Sequence, residues 1–407
     1  MAPITAAVLG AGSRGVNYSN YSLVAPEELE IVAVAEPREE RRTAFAARFS
    51  VPEENCFSSW EELLSRPRLA DVIFVCTLDE QHTQPALLAL EKGYHVLLEK
   101  PMSNREEDCI AIEAAARKAG KILSVCHVLR YTAFYRTLKA LIDRGTVGQI
   151  TNITQIENVA YWHQAHSFVR GNWRRGGDTS PMILAKCCHD MDILLWLSGK
   201  DCKRVHSFGS LHHFTPENAP EGAPLRCLDG CPHSDSCIYY APKIYLTGET
   251  GWPVDVLTTD LTEAGITKAL REGPYGRCVY HCDNDVVDRQ VVSLEMEDGV
   301  ICTQTMTAFS QKCHRQLKIQ GTLGLIEADM DTNDVWLQTF GGTLEKIPVD
   351  TSDTSGHGGG DYGLLRDFLK TLRDGGEAFT SARKSLQSHL ICFAAERSRQ
   401  EGRVIGL

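Results

Sequence analysis

The sequence predicts an α/β protein in two parts. An N-terminal Rossmann dinucleotide-binding domain is followed by a C-terminal α/β domain with an open, mainly antiparallel sheet. Apolar strand-like runs alternate with helical patterns from residue 4 to about 127. A glycine fingerprint opens that alternation. After about residue 130 the pattern changes to short β runs with tight turns.

The elements follow in order. ITAAVLG, IVAVAE, DVIFVCTL, YHVLLEK and ILSVCH read as strands. REERRTAFAARF, QPALLALEKG and EEDCIAIEAAARKAG read as the helices between them. Continuous apolar strands alternating with helices imply a parallel sheet covered on both faces. This domain is expected over 1–128, and the second over 129–407. There YRTLKALIDRG is a helix closed by Gly145, and QITNITQIENVAYW is strand-like. VVSLEMEDGVICTQTMTAF holds two strands around Asp298-Gly299, a hairpin signal. LKIQGTLGLIEADM and DVWLQTF add strands, and a helical segment from DYGLLRDFLKTL closes the chain. Residues 213–285, rich in Pro, Gly and Cys, read as an insertion of loops and short helices.

A chain of 407 residues exceeds what one core usually holds. The net charge of −11 and scattered Lys and Arg argue against a nucleic-acid partner. No apolar run reaches membrane-span length, and no basic n-region suggests a signal peptide. The expected location is therefore cytoplasmic. Many of the 15 cysteines, such as Cys76, Cys126, Cys302 and Cys392, sit in apolar segments and read as buried thiols in a reducing compartment.

Gly10, Gly12 and Gly15 fit G-x-G-x-x-G between a strand and a helix, with Ser13 and Arg14 inside the turn. The first glycine permits the tight turn, the second a close approach of pyrophosphate, and the third helix–strand packing. Glu36 follows at the end of the second strand, where a carboxylate accepts from ribose hydroxyls. A tight turn without ligand is the alternative. Glu36 favours NAD, because it repels a 2′-phosphate; Arg14, Arg38, Arg41 and Arg42 are the groups through which NADP would be tolerated.

The segment DVIFVCTLDEQHTQPALLALEKGYHVLLEKPMS, with Thr77, His82, the helix through Gly93 and Glu99-Lys100-Pro101, resembles the Gfo/Idh/MocA family of glucose-fructose oxidoreductase and inositol dehydrogenase relatives. CCHDMDILLWLSG and IQGTLGLIEAD resemble its second domain. The resemblance implies hydride transfer between a nicotinamide cofactor and a secondary alcohol of a sugar or polyol. It places Thr77, His82 and Glu99 beside the cofactor, and Lys100 at both cofactor and substrate. Removing hydride from a carbinol requires a base for the hydroxyl proton. A free lysine, with a pKa of about 10.4, is a poor base at neutral pH, and desolvation beside a cationic nicotinamide improves it.

The second catalytic segment departs from the family. An acid usually lies four residues before the histidine; here Ala185 stands before His189, and Lys186 lies three before. His189 is a proton-transfer candidate and Lys186 a replacement partner, against the alternative of a packed helix start. HQAHSFVRGNWRR supplies His166, Arg170, Trp173 and Arg174, which suit a sugar pocket or an ordinary polar loop equally. His127 and Tyr131 at the domain junction, His281 and His357 are weaker candidates.

Cys227, Cys231 and Cys237 stand at C-x3-C-x5-C, with Cys278 and Cys282 later. Cys227, Cys231, Cys237 and Cys278 form a candidate closed zinc site stapling the insertion; free buried thiols are the alternative. His281, Asp283, Asp285 and Asp288 read as a polar turn before the hairpin, with a cation site as the alternative.

Three functions follow: an NAD-dependent sugar or polyol dehydrogenase, an NAD-dependent redox-assisted glycosidase with no net cofactor change, and a non-catalytic NAD-sensing protein. The expected partners are a small carbohydrate and, by family analogy, further copies of the chain.

Overall fold

The computed structural model describes residues 2–407. Its first sheet has six strands in the order β3-β2-β1-β4-β5-β6. They are β1 (Ile4–Leu9), β2 (Leu29–Ala35), β3 (Cys56–Phe57), β4 (Val72–Val75), β5 (His95–Leu98) and β6 (Leu123–Val125). All neighbours run parallel. Every residue of β4 is buried, as expected of a strand covered by helices on both sides. The helices Glu39–Phe49, Thr83–Glu91 and Glu106–Ala119 match the helical patterns, and Gly120 ends the last in a left-handed conformation (φ +61°). The strand order reverses between β1 and β4. The glycine turn, Glu36, Thr77, Glu99-Lys100 and His127 all follow carboxyl ends of strands, the edge where such sheets bind ligands.

The second sheet has nine strands in the order β14-β13-β12-β11-β7-β10-β9-β8-β15. These are β7 (Ile150–Ala160), β8 (Cys202–Ser210), β9 (Arg289–Met296), β10 (Ile301–Ser310), β11 (His314–Gly321), β12 (Gly324–Asp329), β13 (Asp334–Thr339), β14 (Leu344–Lys346) and β15 (Ile405–Gly406). β9 and β10 form the hairpin around Asp298-Gly299. The sheet is antiparallel except that β10 runs parallel to β7. The crossover from β7 to β8, through the helix Cys188–Ser198, returns the chain in the same sense, and the β8-β9-β10 meander then lies against β7. One face of the sheet packs on that helix and on the helix Ala382–Glu401, through Leu194, Leu197, Ile391 and Cys392.

The division expected at 128/129 is crossed late in the chain. Leu364, Leu365, Phe368 and Leu369 of the helix Gly360–Asp374 enter the core beneath the parallel sheet. Thr380 then accepts a hydrogen bond from the Val125 N–H at 2.8 Å. The insertion has no strand. Its helices Ala241–Tyr245 and Glu263–Glu272 enclose a small core with Tyr245 and Tyr275. Thr259 donates to Glu40 at 2.8 Å, so the insertion leans on the dinucleotide domain. Among the described residues, no helix is long and apolar enough to cross a membrane.

Candidate active site

The glycine turn distinguishes packing glycines from an open one. A Cβ on Gly10 (φ +94°) would lie 2.5 Å from the Cys76 carbonyl oxygen, and one on Gly15 2.0 Å from that of Gly10. A Cβ on Gly12 would meet nothing within 4 Å. Gly10 and Gly15 are therefore required by the protein's own backbone, while the space beyond Gly12 is free for a pyrophosphate. Ser13 and Arg14 begin the helix Ser13–Ser19. Glu36 is buried at the end of β2; its carboxylate accepts from the Ala11 N–H at 2.9 Å and the Arg38 N–H at 3.1 Å. Thr77 Oγ1 is buried without a partner at the same edge. These features fit a dinucleotide.

The arginines near Glu36 are engaged by the chain. Arg38 Nε lies 3.4 Å from Glu36 Oε1, and Arg42 donates to the Glu36 carbonyl at 2.6 Å. Arg14 does not face outward as a phosphate ligand would. It donates to Glu99 at 2.7 Å and grips Asp361 through both terminal nitrogens at 3.0 and 2.9 Å. Tyr18 also donates to Glu99, at 2.7 Å. The other Glu99 oxygen accepts from the Lys100 N–H at 2.8 Å. Burial alone would raise the Glu99 carboxyl, but Arg14, Lys100 and these hydrogen bonds hold it below its ordinary value. Asp361 is likewise kept ionised against its burial by His357 and Arg14. The His82 ring nitrogens lie against the carbonyls of Pro101 (2.7 Å) and Thr77 (3.1 Å), so His82 fixes the loops after β4 and β5.

Lys100 ends β5 and reaches across to the second domain. Its Nζ donates to the Ala185 carbonyl at 2.7 Å. Ala185 ends the short helix Met182–Ala185, Lys186 forms the next turn, and His189 sits in the first turn of Cys188–Ser198. Lys100 and this turn therefore meet at the domain junction. His189 is 7% exposed and its Nδ1 has no partner. Burial, and then Lys100 and His127, push its pKa well below the ordinary histidine value, so it is neutral at physiological pH. His127 packs edge-on at 5.6 Å from His189, and His357 lies 6.4 Å from it. The loop before the closing helices thus reaches the site, held by His357 Nδ1 at 3.0 Å from Asp361.

Lys186 has a carboxylate partner that sequence reasoning missed. Its Nζ lies 3.2 Å from Glu157 of β7, whose other oxygen is 2.9 Å from Arg315 of β11. Arg315 in turn donates to Asp190 at 2.7 Å. Burial pulls the Lys186 ammonium down, but Glu157 more than restores it, and the charged form is held. Lys186 is thus paired with a carboxylate from another element, which balances its charge. A signal existed: in QIENV, strand alternation puts Glu157 on the same face as Ile153 and Val159. Asp192 was also missed; Arg130 grips it at 2.6 and 2.7 Å, beside His127.

The 163–175 segment divides. His166 is buried, stacked on Tyr275 at 4.7 Å and 2.9 Å from the Tyr245 hydroxyl, and burial pushes its pKa down to about 3. Arg170 is fully buried and donates to the carbonyls of Arg277 and Tyr239, both at 2.7 Å. It anchors the insertion and is not a pocket cation. The Trp173 indole N–H donates to Asp79 at 3.0 Å, and Arg174 donates to Asp283 at 2.8 Å. Trp162, His163 and Trp252 form an aromatic group after β7, with ring centroids 5.0 to 5.8 Å apart. Zinc requires correction. Among the described residues no three Cys, His, Asp or Glu side chains converge to hold a single ion, so Cys227, Cys231, Cys237 and Cys278 do not form a mononuclear zinc site. Tyr131 donates to Asp367 at 3.0 Å and His281 lies 3.2 Å from the Ala223 carbonyl, both structural contacts.

The GFO_IDH_MocA family model described as an NAD-binding Rossmann fold matches residues 4–127, and that of the C-terminal alpha/beta domain matches 139–407. The chain belongs to the Gfo/Idh/MocA oxidoreductase family. It is thus an oxidoreductase with an NAD-binding domain. It is 26% identical over 317 residues to the protein YteT of Bacillus subtilis (strain 168), covering 74% of this chain and 72% of YteT. It is 29% identical over 153 residues to D-glucoside 3-dehydrogenase of Escherichia coli (strain K12), covering 36% of this chain and 41% of that protein. Levoglucosan dehydrogenase in complex with NADH and levoglucosan has the same fold, with a TM-score of 0.76, 17% identity and 99% of each chain covered.

Proposed function

We propose that this chain oxidises or reduces a secondary hydroxyl of a sugar, glycoside or polyol by hydride transfer with NAD. The observation that carries this reading is the meeting of Lys100, at the ligand-binding edge of the parallel sheet, with the Ala185–His189 turn of the second domain. NAD, when bound, supplies the acceptor for the carbinol hydride. The open space at Gly12, the Glu36 carboxylate and the unpartnered Thr77 hydroxyl would hold it. Arginines already bonded to Glu36, Glu99 and Asp361 favour NAD over NADP.

Lys100 takes the hydroxyl proton, leaving the Ala185 carbonyl as the alcohol enters. Neutral His189 orients the same hydroxyl through its unpartnered Nδ1. Glu99 positions Lys100 through its backbone N–H. Lys186, paired with Glu157, places a fixed cation beside the turn and does not serve as a base. His163, whose pKa is pushed well down by burial and then by Lys186, adds a further neutral imidazole to His189 and His127. These imidazoles favour the redox-assisted glycosidase as the other reading, because elimination and hydration need further proton-transfer groups.

Nicotinamide absorbance and aglycone release, followed together on free sugars, polyols and aryl glycosides, decide between the readings. Net NADH formation is expected. Aglycone release that requires NAD yet leaves no NADH would replace dehydrogenation with the glycosidase cycle.

The open sheet face supports self-association. Phe208, Val291, Ile301 and Phe309 are 68%, 43%, 45% and 45% exposed on the adjacent strands β8, β9 and β10. A homo-oligomer through this face would bury them.

A further inference from the structure

The insertion brings one large side chain to the second domain that the proposed reaction does not use. Trp252 is 45% exposed, although indoles are usually largely buried. Its ring is held in place. The centroid lies 5.3 Å from that of Trp162, 5.0 Å from His163 and 5.5 Å from His166. His166 is itself stacked on Tyr275 and bonded to Tyr245 of the insertion. Trp162 is half-buried and stacks on His163 at 5.8 Å. Cys313 fixes the His163 ring in turn: its Sγ lies 3.1 Å from Nδ1 and accepts the Ala160 N–H at 3.2 Å. Two indoles inclined at 59° are thus positioned by the chain, while much of Trp252 stays open to solvent.

Two routes tie this group to the candidate active site. β7 carries Glu157, the partner of Lys186, and runs directly into the turn Tyr161–His163. Burial, then Lys186, His166 and Lys100, push the His163 pKa well down, so the charges of both lysines reach this ring. The second route is aromatic. His163 lies 6.0 Å from Phe168, Phe168 lies 6.2 Å from Trp173, and the Trp173 indole donates to Asp79 at 3.0 Å. Asp79 follows β4 in the same loop as Thr77, at the ligand-binding edge of the parallel sheet. A row of rings therefore leads from that edge to Trp252.

The chemistry of the exposed face selects the occupant. An indole face carries the negative side of the ring quadrupole. The C–H groups on one face of a pyranose present the matching, weakly positive and apolar surface, and the hydroxyls around its rim stay in water. Because Trp252 remains half in solvent, such a ring suits it better than a wholly apolar group. We propose that Trp252 and Trp162 form a subsite for a second pyranose ring, linked to the sugar on which Lys100 and His189 act, so that the substrate is a disaccharide or longer oligosaccharide. This rests on the hydride-transfer reading of the site. The insertion is then the specificity element: it adds Trp252 to a site whose reacting groups belong to the two domains.

The test measures calorimetric binding to the NAD-loaded full chain, and NADH formation, for glucose with cellobiose and maltose, galactose with lactose, xylose with xylobiose, and phenyl glucoside. The parent should bind at least one disaccharide more tightly than its monosaccharide. Trp252→Ala should reduce that preference, read as a ratio of Kd values, by about three- to tenfold. Trp252→Phe, which keeps an aromatic face, should retain most of it. A general disturbance weakens both members of a pair equally, so an unchanged ratio in Trp252→Ala would overturn the proposal. A parent that prefers no disaccharide, or prefers phenyl glucoside alone, would overturn it too. So would a Trp252→Ala protein that loses NAD affinity and keeps the ratio, because the indole would then lie on the cofactor. Disaccharide binding that depends on Trp252 but yields no NADH would keep the subsite and remove net dehydrogenation; NADH from monosaccharides alone would do the reverse.

Discussion

At the scale of single residues, the glycine turn separates structural from ligand requirements. Gly10→Ala drives a methyl onto the Cys76 carbonyl at a positive φ and should lose more than about 1 kcal/mol of stability. Gly12→Ala meets no protein atom. It should melt as the parent does, yet bind NAD at least about tenfold more weakly, about 1.4 kcal/mol. Thermal melts and NAD titration of the two variants check both outcomes; a Gly12→Ala protein with parental affinity would mean that pyrophosphate does not lie there. Lys100 and His189 were legible because each sits at a fixed offset from a local pattern. Tyr18, Glu157 and Asp361 were not, because their importance arises from partners far away in sequence. Arg170 shows where local sequence leaves two readings open: the loop suited a sugar pocket and an ordinary polar loop equally, and the insertion folds over this arginine and bonds it internally.

At the scale of elements, β7, β11 and the helix Cys188–Ser198 are held together by alternating charges: Lys186, Glu157, Arg315 and Asp190. Glu157→Gln leaves Lys186 and Arg315 with one carboxylate fewer in a buried site. The expected cost is about 3–5 kcal/mol, read as a lowered Tm. Glu157→Gln combined with Lys186→Met should recover much of it, because both the cation and its partner are then gone. No recovery would show that Glu157 acts on Arg315 alone. The long strands and helices of both domains could be read from periodicity. β3, β14 and β15 are too short to carry any, and β8, in CKRVHSFGS, mixes charged and small residues because one face is solvated. The parallel β7–β10 pair follows from a crossover route that no local pattern encodes.

At the scale of the whole molecule, buried imidazoles give a definite acid response. His127 and His189 titrate well below the ordinary histidine value, and His389 and His166 near 3, in each case chiefly through burial. In the unfolded chain they would titrate at about 6.5. Above that pH neither state binds the proton. Below it the unfolded chain does and the fold does not, so stability falls as pH drops from about 6.5 toward 3, by up to about 1.4 kcal/mol per unit for each group. Melts between neutral and acidic pH should show this decline; a flat profile would place these rings in solvent. Self-association through the open sheet face predicts that Phe208→Glu with Val291→Glu shifts sedimentation toward monomer without unfolding the chain. An unchanged oligomer would point to another face.

The central claim is that Lys100 handles the proton of a reaction whose cofactor is held by other groups. The most direct measurement compares NAD affinity and kcat in Lys100→Ala and the parent, on the substrate identified from the panel. The account predicts a fall in kcat of about 10²–10⁴-fold with NAD affinity within a few-fold of the parent. Full turnover in Lys100→Ala, or a loss of NAD binding as large as the loss of rate, would contradict it.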